Sequence, residues 1–260
     1  MRYLIALRAV VVREGLRFLH QRGRFVSALV RPLVWLLVFA AGFRAALGIS
    51  IIEPYDTYVT YEIYIVPGLC GMVQLFNGMQ SSLSLVYDRE MGSMRLLLTS
   101  PLPRWWLLFS KLLAGTAISL LQVYAFLAVA AMSGIVMPWN GYLLALPALV
   151  LTGMMLGALG LALSSNISQL ENFAGVMNFV IFPTFFLSSA LYPLWKLQES
   201  SQLLHSIATA NPFTHAVEAI RFALQGQVNW ESLGWTCLAT AVFLAISLWG
   251  YDPARGMKRT

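Results

Sequence analysis

The chain has 260 residues, 58% of them hydrophobic and only 11% charged, with a mean hydropathy of +0.71. Soluble domains carry about 25% charge, so the composition excludes an ordinary water-soluble fold, and part of the solvent is lipid. The net charge of +6 comes from basic residues at the ends of apolar runs, the flanks of membrane spans rather than a nucleic-acid surface.

Residues 1–24 scatter Arg2, Arg8, Arg13, Arg17, Arg22 and Arg24 among apolar residues. No uninterrupted apolar core leads to a small-residue cleavage site, so no signal peptide is read here. On a helical wheel Arg13, Arg17, His20, Gln21 and Arg24 fall opposite Leu4, Leu7, Val11, Phe18 and Leu19. That pattern predicts an amphipathic helix lying on the membrane surface.

A first span is predicted over 26–43, followed by an acidic, aromatic loop carrying Glu53, Asp56 and Glu62, and a second span over 64–86. A charged segment follows, and a third span opens at Trp105-Trp106 and covers 105–134. The fourth, 143–163, carries Gly153, Gly157 and Gly160 on one strip that permits close helix contact. A fifth span covers 173–192 with Pro183 inside it, and a sixth covers 233–249. The region 193–231 is too polar to span and too apolar for a disordered loop. Cys70 and Cys237 sit in apolar runs without metal spacing and read as small buried hydrophobes.

Lysine and arginine placement sets orientation. With the N-terminus in the cytoplasm, Arg31, Arg89, Arg95, Arg104, Lys111, Arg255, Lys258 and Arg259 fall inside with the N-terminal arginines. Arg44, Lys196 and Arg221 fall outside. An even number of spans then returns the C-terminus to the cytoplasm.

The stretch "YDREMGSMRLLLTSPLPR" is accordingly a cytoplasmic loop. Asp88, Arg89, Glu90 and Arg95 would each cost on the order of 2.5–3.5 kcal/mol at mid-membrane. Tyr87, Met91, Met94 and Leu98 recur at helical steps, so a short amphipathic helix is predicted over 87–98. Pro101 and Pro103 end it. Such a helix suits docking to a cytoplasmic partner, and equally reads as a solvated loop that sets topology.

Polar residues in lipid must face protein or water. Gln74, Asn77, Ser81 and Ser84 occupy one strip of the second span, and Asn178 and Ser189 lie on the fifth. They either line a pathway or hold helices together. Phe179, Phe182, Phe185 and Phe186 suit an apolar substrate, packing or lipid. His205 and His215 have no third ligand nearby and give no metal site. An intramembrane enzyme using Ser188 with either histidine lacks a nucleophile motif. A passive channel or scaffold is a further alternative.

Residues 87–111 resemble the signature of type-2 ATP-binding-cassette exporter permeases. There an acidic residue, a glycine, leucines and a threonine–proline or serine–proline step precede the third span. Here these are Glu90, Gly92, Leu96 to Leu98, Thr99, Ser100 and Pro101. A second run is similar to the same family's fifth-span end and external segment: Ser188, Ser189, Tyr192, Pro193, Asn211, Pro212, Glu218 and Arg221. Arg95 departs from the acidic or polar residue common in relatives, and Ser110 from a glycine.

The resemblance implies an all-α integral membrane protein forming a single permease domain, 1–260, of six spans. An N-terminal interface helix, a cytoplasmic coupling helix at 87–98 and external re-entrant helices at 193–231 go with it. It implies Asp88, Arg89, Glu90, Gly92 and Arg95 as the contact to a separate ABC ATPase subunit, and Asn211, Pro212, Glu218 and Arg221 as an external cap. It also implies a dimer, with a second copy or a paralogous permease, in the inner membrane. The sequence holds no G-x-x-x-x-G-K-[ST] run, so ATP and Mg are expected on the partner and no cofactor in this chain.

Overall fold

A computed structural model of the chain describes residues 2–20, 22–43, 53–55, 59–90, 103–167 and 169–251. These residues are all-helical, with no β-strand among them. The helices are α1 (Arg2–His20), α2 (Arg22–Phe43), α3 (Tyr61–Glu90), α4 (Arg104–Met132) and α5 (Trp139–Asn166). They continue with α6 (Leu170–Phe186), α7 (Leu194–Ser200), α8 (Gln202–Ala210), α9 (Pro212–Leu224) and α10 (Trp230–Gly250).

Among the described residues three helices are long and apolar enough to cross a membrane: Trp105–Met132 of α4, α5 and α10. At 1.5 Å per residue, the 30 residues of α3 have ample length, but a strip of glutamine, asparagine and serine lowers their hydropathy. The apolar part of α2 is Leu29–Val38, and α6 has 17 residues. Helix length and apolarity therefore mark half of the expected spans.

The core forms around α3, which packs against α2, α4, α5, α6 and α9. Leu69, Leu75, Met79, Phe126, Leu149, Met155 and Phe213 are fully buried there. The glycine strip of α5 explains how close the helices come: a Cβ at Gly160 would lie 2.7 Å from the Gly78 carbonyl oxygen, and one at Gly153 would lie 3.0 Å from Thr116 Cγ2.

The apolar run expected to remain helical to 192 leaves the helix after Phe186. Pro183 lacks a backbone donor, and the Ser188 hydroxyl donates to the Phe185 carbonyl (2.6 Å) while accepting from Ala190 N (3.2 Å), so the chain turns. Beyond it, 193–231 holds the three helices α7, α8 and α9. Asn211 starts α9 by accepting from Phe213 N at 3.0 Å, with Pro212 at the first helical position.

At the other end of the bundle α3 runs unbroken through Glu90. Residues 91–102 lie outside the described residues, and with them most of the expected helix 87–98. Helix α1 packs on α4, where Trp106 Nε1 donates to the Tyr3 carbonyl at 3.1 Å. Leu4, Ile5, Val12 and Leu16 stay exposed, while Glu14 and Phe18 are buried.

Candidate functional site

The strip on α3 points inward. Gln74 Nε2 donates to the Leu149 carbonyl of α5 at 2.8 Å, and Asn77 Nδ2 donates to Gln122 Oε1 of α4 at 2.6 Å. Both side chains are buried. Ser81 is half-buried, its carbonyl accepting from the Ser84 hydroxyl and its own Oγ close to Gly115. Thr116, Ser119 and Lys111 of α4 and Gly153 of α5 line the same cavity, which has room for about one water. Gln74 Oε1, Thr116 Oγ1 and Thr152 Oγ1 make no hydrogen bond among the described residues. In an apolar bundle such orphan acceptors are costly, so this seam is polar against the preference of its surroundings.

A second cluster sits where α6 gives way to α7. Arg221 of α9 is 2% exposed and pairs with Glu218 one turn earlier. Its Nη2 also donates to the Ser189 carbonyl at 2.8 Å, and its guanidinium lies 4.1 Å from the centre of the Tyr64 ring. The Tyr64 hydroxyl donates to the same Ser189 carbonyl, and Tyr61 to the Leu191 carbonyl, each at 3.0 Å. Asn211 Nδ2 reaches the carbonyls of Thr184 (2.8 Å) and Leu187 (2.6 Å). The carbonyls freed by the turn are thus capped by side chains from α3 and α9.

The electrostatics follow from this geometry. Burial by itself lowers the basicity of Arg221, but Glu218 and the Tyr64 and Tyr55 phenols more than offset it and hold the guanidinium above its ordinary value. Burial pushes the Tyr55 phenol up to about 12 against the pull of Arg221 beside it, and Glu218 adds to the rise.

The remaining expected residues fall in several places. Glu90 Oε2 accepts from Leu170 N at 3.1 Å, so the end of α3 is tied to the first residue of α6. A carboxylate there also complements the positive end of the helix dipole. Asp88 and Arg89 lie in α3 with side chains outside the description, and Gly92 and Arg95 lie outside the described residues. Asn178 is exposed on α6 near Phe179, Phe182 and Phe186, which are exposed too. Phe185 is buried against Trp35 and Phe213. The hydroxyl of the buried Ser189 makes no hydrogen bond among the described residues, while its carbonyl receives two donors. Ser188 is committed to its turn, and His215 stacks on Trp235.

Thr116, Ser119 and Gln122 were missed by reasoning from the sequence, although their three-residue spacing is the same signal that marked α3. Tyr55 and Tyr61 fall in the stretch read as an acidic, aromatic loop, and Tyr64 opens the predicted second span. Their partners lie far away along the chain, so spacing carries no trace of them.

The family profile described as ABC-2 type transporter matches residues 5–224. A protein of Pyropia yezoensis named as transport permease ycf38 is 28% identical over 253 residues, covering 93% of this chain and 84% of its own. Escherichia coli K12 has a protein named as multidrug ABC transporter permease YbhR, 29% identical over 62% of this chain and 43% of its own. Nodulation protein J of Rhizobium leguminosarum bv. viciae is 32% identical over 47% of this chain and 42% of its own.

Proposed function

The chain belongs to the ABC-2 type transporter family, and from that premise we propose that it is the permease subunit of an exporter driven by a separate ABC ATPase. It would sit in the inner membrane with six spans and both termini in the cytoplasm. ATP and Mg would be held by the partner, and the cargo would be an amphiphilic or hydrophobic molecule. Lysine and arginine placement supports the orientation.

One observation carries the coupling part of this reading. The carboxylate of Glu90, at the end of α3, holds the first amide of α6. A push on the segment following α3 would therefore reach α6 as well as the long helix that lines the polar seam. Asp88, Arg89, Glu90, Gly92 and Arg95 are the residues to which the partner would dock. The pathway would run between this chain and a second copy or a paralogous permease. The exposed Asn178, Phe179 and Phe182 of α6 support a lining there, with Gln74, Asn77, Ser81 and Ser189 behind it. Asn211, Pro212, Glu218 and Arg221 would cap the external end with the re-entrant helices α7 to α9.

The test is ATP hydrolysis by the partner ATPase co-reconstituted with this chain in lipid nanodiscs, across a panel of amphiphiles. Stimulation by this chain and by one class of amphiphile is expected. An E90A/R95A variant should fold and assemble yet lose the stimulation. Full substrate-coupled hydrolysis in that variant would refute the coupling role.

A further inference from the structure

Among the described residues the Arg31 side chain meets no carboxylate. Arg31 of α2 is half-buried, and its guanidinium lies 3.8 Å from the centre of the Phe76 ring of α3. Among the described residues that ring is its only partner. Arg31 lines a pocket between α2, α3 and α4 together with Phe76, Asn77, Gln80 and Gln122, and no carboxylate is among the described residues that line it.

Two groups in this pocket are donors without a described acceptor, the Arg31 guanidinium and one amide. Gln122 Oε1 is taken up by Asn77 Nδ2, and Gln122 Nε2 donates to no described residue. A guanidinium has only donors. Glu14 of α1 lines an adjoining pocket that shares Asn77 and Gln80, and Arg13 engages it at 3.2 Å. A half-buried guanidinium without a counter-charge is disfavoured unless an anion or water completes it.

Arg31 also shares a helix face with Val34 and Val38, at the three- and seven-residue positions, and both are exposed. The Arg31 pocket thus adjoins an apolar track along α2.

We propose that the Arg31 pocket binds the anionic headgroup of a membrane amphiphile, with Arg31 and the Gln122 amide as donors and the chain of the amphiphile laid along Val34 and Val38. Phosphate or carboxylate suits the guanidinium fork, and the valines distinguish an amphiphile from a free anion. The inference rests on the reading above only in placing α2 and α3 in the membrane. It requires neither the ATPase nor the direction of transport.

Native mass spectrometry of the purified full chain, released from neutral detergent, tests this directly. The probes are phosphatidylglycerol, phosphatidylcholine with the same acyl chains, and inorganic phosphate. Wild type should retain phosphatidylglycerol over phosphatidylcholine by roughly ten- to a hundredfold, the range of one charge-assisted hydrogen-bond pair, and should show no binding of inorganic phosphate at matched concentration. R31Q should abolish the preference, and an R13Q control should keep it. If R31Q does not purify, Q122L keeps the charge and should weaken retention severalfold. Equal retention by wild type and R31Q, an unaltered preference in Q122L, or phosphate bound as well as lipid would each overturn the proposal. None of these results would bear on ATPase stimulation, so its failure is separable from failure of the export reading.

Discussion

Removing the carboxylate of Glu218 should leave a charge stranded inside the protein. Arg221 is 2% exposed and its side chain has three engagements: Glu218, the Ser189 carbonyl and the face of Tyr64. Glu218, at 19% side-chain exposure, is the partner nearer to solvent. Breaking a buried pair from one side costs about 3–5 kcal/mol, chiefly because the other charge stays buried without compensation. With the Ser189 carbonyl and the Tyr64 ring still in place, E218A should sit at the low end, about 3 kcal/mol. For a chain of this size that corresponds to a fall in Tm of roughly 6–12 °C. R221M removes the buried cation itself and leaves a carboxylate that can reach water, so it should cost less. The double variant E218A/R221M should recover about 1–2 kcal/mol relative to E218A. The eight tryptophans allow intrinsic-fluorescence melting of all four proteins in the same nanodiscs. An unchanged Tm in E218A, or a double variant melting below E218A, would refute the argument that Arg221 depends on Glu218 for its neutralisation.

Tyr55 supplies a pH dependence. Its folded-state pKa of about 12 lies above the unfolded value near 10. Its contribution is therefore complete below pH 10 and is lost as pH rises toward 12, by roughly 2–3 kcal/mol. Y55F should flatten the loss of Tm between pH 9 and 11, and an identical alkaline profile would count against burial of the phenol. The Asn77–Gln122 bond at 2.6 Å should give a coupling of about 0.6–1.7 kcal/mol in an N77L/Q122L double-mutant cycle; strict additivity of the two single variants would show the bond is not held in lipid. At Gly68 an added Cβ would collide with the Ala190 backbone at the turn after α6. G68A should therefore lower Tm by several degrees, about 1–3 kcal/mol for overpacking, whereas G175A on α6, with nothing near its Cβ, should not.

Apolar runs and local spacing carried the approximate positions of α2 to α6 and α10, because a segment in lipid has to satisfy its own backbone hydrogen bonds, and the family resemblance carried the all-helical class. The close-contact strip at Gly153 and Gly160 was likewise local, and a helix wheel shows it. What tertiary structure decided involves partners distant in sequence. The turn that ends the helix expected over 173–192 is held by Tyr61, Tyr64, Asn211 and Arg221, which take up the carbonyls freed at Leu187 to Leu191. The inward strip of α3 meets its partners Gln122 and Leu149 on two other helices, and Arg31 stands against Phe76 with no carboxylate among the described residues lining its pocket. A helical period tells which residues share a face; which face of which neighbour they meet is set by how the helices pack.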